Sequence, residues 1–180
     1  MVFDIRLLDN LSYDEAELLL EGYIVDAIDE FVKSETGQAY VQTCEEGGAW
    51  ISNFIELAYL YGEFTLSKMT KANVQEVMEY ILPRKLTVLD PSSTDDAIPE
   101  LVAFWTFLRE DYKLRSAGAI VKYLQSIQDK FRHWMFDPAR GGMTKSFLME
   151  GMSAGYDMTS PEGIEAFKNI YNQQLQANLP

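Results

Sequence analysis

From Ala97 to Met135 the apolar side chains return every three or four residues, and no other feature constrains the fold as much. Leu101, Val102, Phe104, Trp105, Leu108 and Tyr112 mark one stretch; Ala117, Ile120, Val121, Leu124, Ile127, Phe131, Trp134 and Met135 mark a second. Such spacing is one face of an α-helix, and it predicts helices over roughly 99–112 and 117–135. Pro99 suits a first turn, where its missing N–H breaks no bond. Ser116 is placed to cap the second helix with its hydroxyl. A link as short as Lys113–Ser116 predicts an antiparallel pair, central to the molecule, around which the remainder packs.

The same periodicity runs through the rest of the chain. Ser12 precedes Glu15 at the spacing of a capping box. Ala16, Leu19, Leu20, Tyr23, Ile24, Ala27, Ile28 and Phe31 then form a helical stripe. Gly22 interrupts it at a cost of about 1 kcal/mol relative to Ala, which points to close packing there. Glu35–Gly37 reads as a break, followed by a short helix around Ala39, Tyr40 and Val41. Trp50, Ile51, Phe54, Ile55, Ala58 and Tyr59 predict a helix that Gly62 stops. Thr70 caps another, with Val74, Val77, Met78, Ile81 and Leu82, and Pro83 ends it. Leu86–Leu89 is the one candidate strand. After a loop at Asp137–Gly142 come a helix with Phe147, Leu148 and Met152 and a last one opened by Thr159-Ser160-Pro161-Glu162. Its expected buried face is Ile164, Phe167, Ile170, Tyr171 and Leu175. The sum is an all-α, single-domain bundle of about seven helices spanning 1–180, with 1–10 a flexible arm and 177–180 a frayed tail.

Charge narrows the partners. The net charge is −13. Residues 1–67 hold 14 acids against two bases, Arg6 and Lys33, while residues 109–145 hold eight bases against four acids. So acidic a chain is a poor nucleic-acid ligand, because affinity for nucleic acid comes largely from neutralising phosphates. No apolar run is long enough for a bilayer span, and the start lacks a signal-peptide pattern. With one cysteine, Cys44, there is no disulfide framework; the reading is a soluble, cytoplasmic protein.

Leu82-Pro83-Arg84-Lys85, the Phe104-Trp105-Thr106-Phe107-Leu108 helix and Gly142-Met143-Thr144-Lys145-Ser146 together resemble a helical domain of uncharacterised bacterial proteins. Some relatives of that domain carry a SEC-C zinc module, which this chain lacks. The resemblance covers roughly residues 50–160 and implies an all-helical fold with no activity attached.

Candidate chemistry is sparse. Glu15, Glu17, Glu21, Asp26, Asp29 and Glu30 fall between the apolar positions of the first long helix, which is where a solvated face puts them, not a metal-binding interior. No metal or cofactor is expected. His133, the single histidine, stands on the polar side of its helix with Lys130, and the sequence places no nucleophile or orienting acid beside it. Cys44 adjoins Glu45 and Glu46, whose charge disfavours a thiolate. Arg140-Gly141-Gly142-Met143-Thr144-Lys145-Ser146 has glycines ahead of Lys-Ser, as phosphate loops do, but Thr144 stands where that loop needs a glycine, and no strand precedes it. Weaker anion binding by Arg140, Gly141, Gly142, Lys145 and Ser146, beside Lys130 and His133, is the alternative to a plain turn. Tyr61, Phe64 and Phe107 lie off the stripes, as an exposed apolar patch would. Met143, Met149, Met152 and Met158 cluster after the glycines, as gap fillers or an adaptable surface.

The leading expectation is a non-enzymatic interaction or scaffold domain, with a protein partner or a homodimer and neither nucleic acid nor membrane. Its surface would be the acids of the first helix together with Met143, Met149 and Met152. The alternative is a small-molecule or anion-binding protein with its site at Arg140–Ser146.

Overall fold

The computed structural model describes residues 3–44, 47–88, 91–137 and 139–177, of which only the backbone is described at 143–144 and 174–177. Every regular element among them is helical. Nine helices form: α1 Tyr13–Lys33, α2 Glu35–Val41, α3 Ala49–Gly62, a rod α4, then α5 Ala97–Glu110, α6 Ala117–Ser126, α7 Gln128–Phe136, α8 Met143–Ser153 and α9 Pro161–Ala177. The rod α4 joins Lys71–Glu76, a π-helical turn Val77–Ile81 and Leu82–Lys85 end to end, and a 3₁₀ turn, Pro91–Thr94, precedes α5. Leu86–Val88 is irregular, not a strand, and Leu89 lies outside the described residues.

α1 starts as its sequence predicts. The Ser12 N–H and hydroxyl both donate to Glu15 Oε2, at 3.0 and 2.6 Å. The helix buries Ala16, Leu20, Tyr23, Ile24, Ala27 and Phe31. Glu35–Gly37 is no break but the first turn of α2, because Ser34 accepts from the Gly37 N–H at 3.0 Å. Gly37 is required there: a Cβ would meet the Phe31 carbonyl oxygen at 1.8 Å. α3 ends on Gly62, and the residue that turns the chain is Glu63, at φ 51°.

Pro83 does not end α4. In an α-register its missing N–H would leave the Glu79 carbonyl without a partner. The π turn lets the Leu82 N–H reach the Val77 carbonyl, and the rod runs on to Lys85. The predicted helix over 117–135 is two helices, since Ile127 at φ −108°, ψ 2° breaks the ladder between α6 and α7. The Ser116 hydroxyl makes no cap; its carbonyl accepts from Ala119 and Ile120 instead.

α5 lies against α2, α3 and α6, while α1 covers α2 and α3. Phe104, Trp105 and Phe107 on α5 are all but inaccessible. Phe31 meets Phe104 and Phe107 at centroid distances of 5.8 Å, and Trp105 stands edge-on to Phe54 at 6.2 Å. Phe107 is therefore core, not surface. Residues 3–10 are packed instead of forming an arm: Phe3, Ile5 and Leu8 are buried, and the Tyr23 hydroxyl donates to the Ile5 carbonyl at 3.0 Å. Asp9 anchors the same segment, accepting from Thr65 Oγ1 at 2.7 Å and Ser67 Oγ at 2.6 Å. Residues 178–180 lie outside the described residues.

α8 and α9 make a hairpin with its own small core. Phe147 lies 5.0 Å from Phe167 and 5.3 Å from Tyr171, and Tyr156 lies 5.4 Å from Phe167. Met158 fills the space over Gly151, where any Cβ would collide with it. Of the face expected for α9, Phe167 is buried, Ile170 is exposed, and the Leu175 side chain lies outside the described residues. No described helix is long and apolar enough to cross a membrane.

Candidate functional site

The glycine turn positions Arg140 and Lys145 against the end of α4. The Arg140 guanidinium donates to the Glu79 carbonyl at 2.7 Å, the very carbonyl that Pro83 leaves free in an α-register. It also sits 4.9 Å from the Trp134 ring and 3.7 Å from an Asp137 carboxylate oxygen. Lys145 is buried, and its ammonium donates to the Pro83 carbonyl at 2.8 Å. Burial pulls its pKa down to about 8. Lys145 therefore serves the carbonyl end of α4, where the macrodipole favours positive charge, while Arg140 serves a carbonyl within the rod. In this arrangement one donor of each cation is engaged on a backbone oxygen of α4. Gly142 packs where a Cβ would lie 3.2 Å from the Arg84 carbonyl oxygen, and its own carbonyl accepts from Ser146 N–H at 2.9 Å. Gly141 is a half-buried link in the same turn. His133 is exposed and shares an open groove with Pro91, Asp129, Arg132 and Phe136, a lining that includes neither Arg140 nor Lys145. Lys130 is exposed as well.

The sequence reading missed Glu100. Its carboxylate is buried inside the bundle, and Oε1 accepts from the Ile51 N–H at 2.8 Å. Burial pushes its pKa above the usual carboxylate range, against bonds from the backbone of Ile51, Gly48 and Trp50 that lower it. Gly48 heads α3 with no side chain to cap it, and the first turn of α3 has no acid. A helix with no cap of its own was the signal for a cap supplied from elsewhere.

On α1, Glu15, Glu17, Glu21, Asp26 and Asp29 are exposed and Glu30 is half-buried. Among the described residues no group of three or more Asp, Glu, His or Cys is placed to hold a metal ion. What the sequence reading did not single out is the apolar company these acids keep. Leu18 is 86% exposed, Val25 53% and Val32 38%. Spaced by seven, they share one stripe opposite the buried face. Gly22 lies in that stripe with nothing within 4 Å of a built Cβ, so it is not a close-packing site. Beside the stripe, between α1 and α3, runs an open groove of about 490 Å³.

The methionines divide. Met158 is buried, Met149 half-buried and Met152 exposed, and the Met143 side chain lies outside the described residues. Comparisons with protein-family models, with curated proteins and with solved structures find no match to this chain.

Proposed function

We propose that the chain is a protein-interaction domain whose contact face is the outer side of α1. The observation that supports this reading is the line Leu18, Val25 and Val32, exposed on a helix whose inner face is already complete. One exposed leucine is ordinary; a row of apolar side chains along a single helix is the pattern that partners cover. The acids around it deplete nothing from the core and give the face a strongly negative field, which steers a basic partner toward it and sets two copies of the same face against each other. Met149 and Met152 belong to the other end of the chain and are secondary to this reading.

A photo-crosslinking residue placed at Leu18 in the full chain tests it in cells. The expected result is a discrete crosslinked partner at Leu18 that the same probe at the exposed Asn172 of α9 does not capture. Identical capture at both positions, or none at either, rejects the reading.

A further inference from the structure

The groove between α1 and α3 has a more particular chemistry than the outer stripe. Leu20, Ile24 and Val25 of α1 and Leu60 of α3 line it with hydrocarbon. Glu17, Glu21 and Glu56 stand along it, all three exposed, and no lysine, arginine or histidine joins them. Glu17 and Glu21 are one helical turn apart, a like-charge pair that weakens α1 by itself. Among the described residues, none of the three glutamates forms an ion pair, whereas the exposed Asp95 and Glu165 do. The fold of the isolated chain is not served by that repulsion, and Leu20 and Ile24 close the floor of the groove while Val25 stands open at its edge.

We propose that this groove is the docking site for a basic amphipathic helix of another protein. Its apolar stripe would lie on the exposed Val25 and half-buried Leu60, over the floor that Leu20 and Ile24 form, read through anchors three and four residues apart. Its lysines or arginines would reach Glu17, Glu21 and Glu56, which fix register and speed encounter more than they add affinity. The inference rests on reading α1 as a contact face and goes further by naming the occupant. Charge selects among occupants: the phosphates of nucleic acid and the headgroups of an anionic bilayer are repelled by the same glutamates that attract a cationic helix.

Fluorescence anisotropy on the full chain tests the proposal with three labelled peptides of roughly 18 residues, about five helical turns. One is a Leu/Lys amphipathic helix; the second replaces every Lys with Glu; the third scrambles the first so that its apolar stripe is lost. The first should bind, more weakly as salt rises, and the other two should bind at least tenfold more weakly. The variant carrying E17K, E21K and E56K alters only exposed positions and should weaken the first peptide on the order of tenfold. Val25→Ser should weaken it too, without changing the salt dependence. Equal binding of the scrambled peptide reduces the site to unspecific charge and overturns the proposal, as does equal binding of the acidic one. If no peptide binds, the proposal fails while a crosslink from Leu18 would still stand, since Leu18 and Val32 do not line the groove and only Val25 belongs to both. Sedimentation of the chain alone covers the remaining occupant: self-association abolished by the triple charge reversal would put a second copy in the groove and overturn the proposal.

Discussion

Glu100 and Lys145 are the charged side chains buried among the described residues, and they sit at helix ends of opposite polarity. Glu100 receives N–H donors at the start of α3, inside the bundle; Lys145 donates to a carbonyl at the end of α4, where the α8–α9 hairpin meets the bundle. Both placements follow the helix macrodipole, which favours an anion at the N-terminus and a cation at the C-terminus. The surroundings differ. Around Glu100 lies one continuous apolar core that extends from Phe3 to Met135. Around Lys145 the hairpin's aromatic cluster is separate from that core, and Arg140 and Lys145 supply polar attachments between the two. One device thus completes a core in one region and fastens a second, smaller core in another.

The largest expected effects test that division. Trp105→Ala, in the centre of the bundle, should lower global stability by about 3–5 kcal/mol, measured by urea unfolding. Phe167→Ala removes the middle of the hairpin cluster. It should open α8 and α9 to proteolysis and hydrogen exchange while shifting the bundle's urea midpoint much less. If the two variants destabilise the bundle equally, the hairpin is not a separate unit and the comparison collapses.

The buried charges themselves come next. Glu100→Ala leaves the Ile51 N–H without its acceptor in the interior and should cost about 1–3 kcal/mol. Their pH dependences should run in opposite directions. Glu100 has a raised pKa, so above the ordinary value of 4.5 the folded chain holds a proton that the unfolded chain has lost. Its contribution to stability therefore falls as pH rises out of the ordinary carboxylate range, and Glu100→Gln should lack that slope. Lys145 is lowered from 10.5 to about 8. Between those values the unfolded chain holds the extra proton, so stability rises from about pH 8 to 10.5 and is lost again as pH falls through about 8. Lys145→Met should remove that rise, read as the difference between wild-type and variant unfolding curves. Parallel slopes for the two sites would mean that burial does not govern both.

Much of this was legible from spacing alone. The stripes of α1, α3 and α5, the Ser12–Glu15 box and the Thr70 cap need only local sequence, and local physics places them. The misses share a different cause. Ile127 fits the apolar period across the break between α6 and α7, so no residue type announces it. The π turn in α4 shifts the ladder without disturbing the run Val74, Val77, Met78, Ile81, Leu82, and it carries the helix through Pro83. Glu100 and Lys145 were unreadable as caps because the helix ends they serve are 49 and 62 residues away in sequence. Leu18, Val25 and Val32 are hard to read from the sequence because a period of seven on the polar side is masked by the denser stripe facing the core.

The smallest effect sharpens the contrast between a finished interior and an unfinished surface. Gly22 is exposed in mid-helix, has no positive φ, and has nothing near a built Cβ. Gly22→Ala should therefore stabilise the isolated chain by about 0.5–1 kcal/mol, through helix propensity and a less flexible unfolded state. Thermal unfolding checks the sign. Gly37→Ala should do the reverse, because its Cβ would strike the Phe31 carbonyl. A glycine that weakens the free helix yet lies between Leu18 and Val25 suits a surface where another backbone comes close. On that account Gly22→Ala should raise the melting temperature and lower the yield of the Leu18 crosslink in the same protein. A gain in stability with no loss of crosslinking would leave Gly22 without a role in contact and confine the interaction face to the apolar side chains on either side of it.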